Sequence, residues 1–142
     1  MKRAINLAKK ARGKTFPNPL VGAVIIKNGK IVGEGYHKKS GTPHAEIMAL
    51  RKAKEKAKNA FLYVNLEPCA HFGKTPPCVD SIVESRIKKV YVAMKDPNPL
   101  VNGKGLNFLK KKGIEVKTGM CRNEAKLLNA DYIKRIKKCS QG

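Results

Sequence analysis

Two short stretches contain four residues whose types and spacing could do chemistry. His44 and Glu46 stand in the triplet HAE, and Cys69 and Cys78 close the two ends of CAHFGKTPPC. One imidazole and two thiolates are three of the four donors that zinc takes in tetrahedral coordination. A zinc site with three protein ligands keeps an open position, as a metal that acts on a substrate does and a metal that staples a fold does not. Water in that position has its pKa lowered to about 7, so hydroxide is available at neutral pH. Attack of hydroxide on an amidine-like ring carbon requires a proton on the ring nitrogen, and the departing amine requires another. A carboxylate close to the metal but not bound to it can carry both, and Glu46 is placed for that role. Glu67, two positions before Cys69, sits at a strand end and is not expected to be the shuttle.

Taken singly, these residues carry little. A histidine at a helix start is usually a cap or a surface residue, and a cysteine is usually a small buried hydrophobe. Two cysteines flanking a stiff polar loop have three readings: a disulfide, a metal site, or chance. The N-terminal MKRAINLAKKARGK is basic and amphipathic, without the apolar run or small-residue cleavage site of a secretory signal. No apolar run approaches the ~20 residues of a membrane span. The chain is therefore expected in the cytoplasm, where paired cysteines bind metal or do chemistry more often than they pair with each other. A structural zinc ribbon would need a fourth ligand. His71, Cys121 and Cys139 could offer one, but the last two lie on the terminal segment without metal-knuckle spacing.

The elements that must position these side chains follow from periodicity. Ala4 to Arg12 carries a short helical stripe, and GKTFPNP breaks it. Leu20 to Lys27 reads as a strand, Asn28-Gly29 as a hairpin turn, and Lys30 to His37 as the returning strand. From His44 helical spacing resumes, with Ala45, Met48, Ala49, Ala53 and Ala57 on one face. AFLYVNL (60–66) is a third strand. Pro76 and Pro77 suit the first turn of a helix through Val79, Ile82 and Val83. KKVYVAM (88–94) is a fourth strand, followed by the turn-rich DPNPLVNGKG. A short helix over Leu106 to Lys111, a strand over 114–119 and a last helix from about Asn123 to Lys137 complete the pattern. The 142 residues fit one domain, 1–142. Strands alternating with helices after an opening hairpin predict a three-layer α/β/α fold on a mixed sheet of about five strands. In that scheme His44 and Cys78 each open a helix, among unsatisfied backbone N–H groups, and Cys69 follows a strand.

The formal charge is +21, from 31 Lys+Arg against 10 Asp+Glu. Clustered cations would suggest a nucleic-acid partner, because they neutralise phosphates and release counterions. Here the lysines are spread along the whole chain, Trp is absent and aromatics are few. The charge is read as a solvated surface, and nucleic acid is not the expected partner. A phosphorylated small substrate would also profit from the positive field.

H-x-E opening a helix, then Pro-Cys after a strand and a second cysteine opening another helix, resembles the signature of zinc deaminases. Their cysteines, however, are separated by two residues and these by eight. The stretches TFPNPLVGAVI, HAE, LEPCAHFGKTPPC and VAMKDPNPLVNGKG together closely resemble the deaminase domain of the riboflavin biosynthesis deaminase–reductase family, over nearly the whole chain. The resemblance implies a cytidine deaminase-like fold, zinc on His44, Cys69 and Cys78, and Glu46 as proton shuttle. It implies hydrolytic deamination of a diaminopyrimidinone carrying a ribosylamino 5′-phosphate, with release of ammonia. It also implies that Asn18, His37, His71, Lys74, Thr75, Asp96 and Asn98 contact substrate.

Elementary chemistry agrees with several of these roles. Lys74 and the backbone of Gly73 to Thr75, beside a helix N-terminus, make an anion site suited to a 5′-phosphate. Asn18 and Asn98 can hydrogen-bond base or ribose edges. Asp96 and Asn98 follow a strand's C-terminal end, where ligands collect in open α/β sheets. FPNP and DPNP are also ordinary turn sequences. The family usually continues into a reductase domain, and these residues contain no G-x-G-x-x-G element. The reductase step is therefore expected from a separate partner, or from a domain cut away. A homo-oligomer, dimer or tetramer, is expected because loop-lined sites gain cover from a neighbour. The alternative readings are a nucleic-acid (tRNA) or free-nucleobase deaminase of the same fold, and a zinc-stabilised nucleic-acid-binding module. The last leaves Glu46 and the open ligand position unexplained.

Overall fold

Asn28 and Gly29 both take positive φ (52° and 76°), the backbone that a two-residue type I′ turn requires. They join β1 (Gly22–Lys27) to β2 (Lys30–Tyr36) as an antiparallel hairpin. In this computed structural model, which describes residues 1–70 and 77–141, the hairpin forms one side of a five-stranded sheet. β3 (Phe61–Val64) runs antiparallel to β1, and β4 (Lys89–Val92) and β5 (Glu115–Thr118) extend the sheet in parallel, in the order β2-β1-β3-β4-β5. The expected mixed α/β sheet is therefore present.

Alternation within the strands decides which face is covered. Ile25, Leu62, Val64, Val90 and Val92 turn to a layer formed by α2 (Ala45–Ala53), α3 (Cys78–Glu84) and α4 (Lys104–Lys111). α1 (Lys2–Lys9) and α5 (Arg122–Leu128) cover part of the opposite face through Ala4, Ile5, Leu7 and Ala125. Further along that face Tyr63 and Tyr91 stack on one another at 4.6 Å, half-buried. The alanine face of α2 has a reason. A Cβ at Gly33 would collide with the Ala49 carbonyl, and one at Gly35 with Met48 Cβ, so helix and hairpin approach as closely as backbones can. That approach sets where the first turn of α2, with His44 and Glu46, meets the end of the sheet.

Element boundaries differ from the periodic reading where long-range contacts intervene. α1 is shifted toward the N-terminus, with the chain continuing as turns to Arg12. α2 stops at Ala53, because Lys54 takes φ 52°, and Lys54–Ala57 forms a 3₁₀ turn. Pro77 is the N-cap of α3, one place before its first turn, and Pro76 lies outside the described residues. α4 begins at Lys104, two residues early. The single last helix is two helices, α5 and α6 (Ala130–Gln141), broken at Asn129. Asn129 is buried and clamps Leu20 from both sides: its Nδ2 donates to Leu20 O and its Oδ1 accepts from Leu20 N, each at 2.8 Å. Among the described residues no helix is long and apolar enough to cross a membrane.

Candidate active site

The sheet brings β1 at its start and β2, β3 and β4 at their C-terminal ends to one edge, and the sequence-predicted residues gather there. His44 is the N-cap of α2, in an extended conformation (φ −67°, ψ 158°), yet its side chain makes no capping bond. Its Nδ1 points instead to two sulfurs, 3.0 Å from Cys78 Sγ and 3.7 Å from Cys69 Sγ. Cys69 arrives on the segment after β3. Cys78 opens α3, its backbone N–H donating to Cys69 Sγ at 3.3 Å. The three donor atoms lie within 4.8 Å of one another, and no other such group occurs among the described residues. Neither Cys121 nor Cys139 joins it, and His71 lies outside the described residues. All four cysteines are free, so the disulfide reading falls.

The protonation chemistry of this cluster fits a dication. Hydrogen bonding from Cys78, and then from His44, pulls the Cys69 thiol down to about 4 against the effect of burial. Cys78 is pushed the other way by its bond to Cys69 and by burial, and contact with Cys69 pushes His44 up. The two sulfurs and the imidazole thus share protons at contact distance. A divalent cation would replace those protons and take both sulfurs as thiolates. Two thiolates and an imidazole suit zinc, and with three ligands among the described residues a fourth position is open.

Glu46, in the first turn of α2, is 3% exposed. Burial pushes its carboxyl up to about 7, with the positive charge of His44 opposing. A carboxyl poised there can hold or give up a proton at neutral pH. Glu46, His44 and Cys69 line one cavity of about 490 Å³. Its other walls include the apolar Val21, Leu66, Val101 and Ile136 and the polar Asn18, His37, Asp96 and Asn98. Among the described lining residues there is no lysine or arginine, although the chain has 31 of them.

The implied contact residues divide into three groups. Asn18 and His37 come together: His37 Nδ1–H faces Pro43 O at 3.3 Å, which leaves Nε2 to accept from Asn18 Nδ2 at 3.2 Å. Burial pushes the His37 pKa down, in keeping with a neutral ring. Its ring stands edge-on to His44, with centroids 5.7 Å apart. Asp96 and Asn98 also come together. Asp96 Oδ1 accepts from Asn98 N at 2.9 Å and from Tyr132 OH at 2.8 Å. Asn98 Oδ1 accepts from Leu100 N at 3.0 Å, so the turn reading of DPNP is correct for that oxygen. His71, Lys74 and Thr75 lie outside the described residues.

Glu67 has a place that its sequence position did not reveal. It is 4% exposed and accepts four backbone N–H bonds, from Asp96 and Gly103 at Oε1 and from Gly105 and Leu106 at Oε2. Its negative charge is met by backbone dipoles at the start of α4. It ties the segment carrying Cys69 to the loop carrying Asp96 and Asn98. Gly105 permits this, because a Cβ there would collide with the Pro68 carbonyl. Asn65, fully buried, does similar work on the other side, its Oδ1 accepting from Gly22 N and its Nδ2 donating to Leu20 O. The available signal was a run of polar residues, Asn65 and Glu67, directly after an apolar strand.

Residues 1–94 match the family described as the cytidine and deoxycytidylate deaminase zinc-binding region. The chain is 61% identical over 136 residues to riboflavin biosynthesis protein RibD of Aquifex aeolicus (strain VF5), covering 96% of this chain and 38% of that protein. It is 55% identical over 137 residues to the diaminohydroxyphosphoribosylamino-pyrimidine deaminase of Buchnera aphidicola subsp. Schizaphis graminum (strain Sg), covering 96% of this chain and 93% of that protein. The structure of Acinetobacter baumannii RibD matches with a TM-score of 0.93 at 52% identity, over 95% of this chain and 38% of that one. The chain therefore spans under two-fifths of these RibD proteins and nearly all of the Buchnera deaminase.

Proposed function

The chain belongs to the cytidine and deoxycytidylate deaminase zinc-binding family, and within it to the diaminohydroxyphosphoribosylaminopyrimidine deaminases; on that premise we propose that it hydrolytically deaminates the diamino-ribosylaminopyrimidinone 5′-phosphate of riboflavin biosynthesis. The observation that carries this reading is one cavity lined both by His44 and Cys69, two members of the His44–Cys69–Cys78 cluster, and by the buried Glu46. Water enters at the ring carbon bearing the exocyclic amine, that amine leaves as ammonia, and the ring carbon becomes a carbonyl.

One zinc ion per chain, held by His44, Cys69 and Cys78, would supply the activation of the attacking water. Glu46 takes up the first proton that the water gives up and passes it to the ring nitrogen; it then takes the second from the hydroxyl added at the ring carbon and delivers it to the departing amine as the carbonyl forms. Its burial suits it to that traffic, since a carboxyl near 7 both accepts and donates at working pH. His37 acts as a neutral ring: its Nε2 accepts from the Asn18 amide, which leaves Asn18 Oδ1 as the acceptor for a ring or ribose donor. Asp96 and Asn98 line the same cavity. Lys74, with Thr75 and His71, is proposed to hold the 5′-phosphate. The lack of any cation among the described lining residues supports that role, because the phosphate otherwise has no counter-charge there.

The protein is proposed to work in the cytoplasm, which suits four free cysteines. It is proposed to work as a homodimer or larger even assembly, for which exposed Phe16, Leu100 and Leu127 offer apolar surface. A reductase, on a separate protein or fused to this domain, would take the product onward. The test is ammonia release by the zinc-loaded protein from the 5′-phosphate, from its free nucleoside and from cytidine. Turnover of the phosphate above both others is expected. Good turnover of cytidine with none of the phosphate would reject this substrate.

A further inference from the structure

Asp96 stands in the cavity wall, 6% exposed, on the loop that leaves β4. Its backbone N–H is fixed by Glu67, and its Oδ1 receives Asn98 N from its own loop. A second donor to Oδ1 comes from far away in the chain: the phenol of Tyr132, on α6, at 2.8 Å. Tyr132 is 7% exposed and lines the same cavity, as does Ile136 one turn on.

Three residues spaced by three, Asn129, Tyr132 and Arg135, place this helix. Asn129 clamps Leu20 by two bonds, Tyr132 reaches Asp96, and Arg135 donates to Pro17 O at 3.2 Å while lying 4.6 Å over the Phe16 ring. The start of α6 is thereby registered on two loops that line the cavity, the one carrying Asn18 and the one carrying Asp96. We propose that Tyr132 is a positioning residue for substrate binding, its phenol orienting the Asp96 carboxylate toward hydroxyl or amine donors of the ligand.

The direction of the bond is chemically fixed. Burial, and then the charge of Asp96, push the phenol's pKa up, so it remains a donor at any working pH. An ionised carboxylate accepts only, so a ligand meeting Asp96 must bring N–H or O–H groups, as a ribosylaminopyrimidine does. Without the phenol, Oδ1 loses the bond that ties it to α6, while the Asn98 N–H holds it within its own loop. The inference rests on the proposed reading of this cavity as the pyrimidine-phosphate site.

Tyr132→Phe removes the hydroxyl and keeps the ring. The expected result is an about tenfold fall in kcat/KM for the 5′-phosphate, carried by KM, the low end for a hydrogen bond to a charged group. In an Asp96→Asn background the same substitution should add less than about twofold, because its partner is already altered. Losses that multiply would show that Tyr132 acts independently of Asp96 and overturn the proposal. A second readout needs no activity: the carboxyl ¹³C titration of Asp96 in the zinc-loaded protein. Loss of the phenol donor should move its midpoint up, because the donor favours the charged form. An unmoved midpoint overturns the proposal whatever the kinetics show. If the wild-type protein does not deaminate the phosphate, the functional reading fails, and the titration alone decides the role of Tyr132.

Discussion

Glu67→Gln exchanges one oxygen of a buried carboxylate for an amide nitrogen, and the structure sets the consequence. Each oxygen accepts two backbone N–H groups, Asp96 and Gly103 on one side and Gly105 and Leu106 on the other, at 2.9 to 3.3 Å. Whichever way the amide is turned, its NH₂ faces two donors that then have no acceptor. A buried donor left unpaired costs about 1–3 kcal/mol, so two cost about 2–6 kcal/mol. The two bonds that remain also weaken, from charge-assisted to neutral. A loss of about 3–5 kcal/mol is the expected outcome, a large share of the 5–15 kcal/mol by which domains are typically stable. Urea unfolding of wild type and variant at one fixed zinc concentration measures it, since metal bound to the native state adds to stability. The variant should also bind substrate more weakly, because the loop bearing Asp96 and Asn98 loses its anchor. A loss below about 1 kcal/mol would refute the reasoning, by showing that the four bonds are readily replaced.

Lys74→Ala should cost about 1.5–3 kcal/mol, roughly ten- to hundredfold in kcat/KM, on the 5′-phosphate and far less on the free nucleoside. Equal losses on both would mean that Lys74 serves the ring or the fold. Single-stranded RNA or tRNA should bind weakly, with a steep salt dependence, and without deamination; inosine or uridine in the incubated tRNA would contradict this. Light scattering should show a dimer or larger even assembly at micromolar concentration, whereas a species of only 15.7 kDa would reject it.

Local signals carried most of the scaffold. Leu62, Val64, Val90 and Val92 alternate with Phe61, Tyr63, Lys89 and Tyr91, a period of two that identifies both strands and their inner faces. Asn28-Gly29 marked the hairpin, and His44 and Cys78 do stand at helix starts. Non-local partners account for what was not legible. The break between α5 and α6 depends on Asn129 meeting Leu20, 109 positions away, so a helical stripe runs through it without a mark. Glu67 could be set aside as a proton shuttle, but its four N–H partners lie 29 to 39 residues further on and have no pattern in the chain. Tyr132 reads as one more apolar position on a helix until Asp96 is placed against it.

Zinc content and ammonia release, measured together on wild type, Glu46→Gln and Cys78→Ser, test the site most directly. Wild type should carry one zinc per chain and release ammonia from the 5′-phosphate. Glu46→Gln should keep the zinc and lose nearly all turnover, because the carboxyl moves protons without holding the metal. Cys78→Ser should lose zinc affinity and activity together. Zinc lost with Glu46, or undiminished zinc affinity in Cys78→Ser, would contradict the assignment of ligands and shuttle.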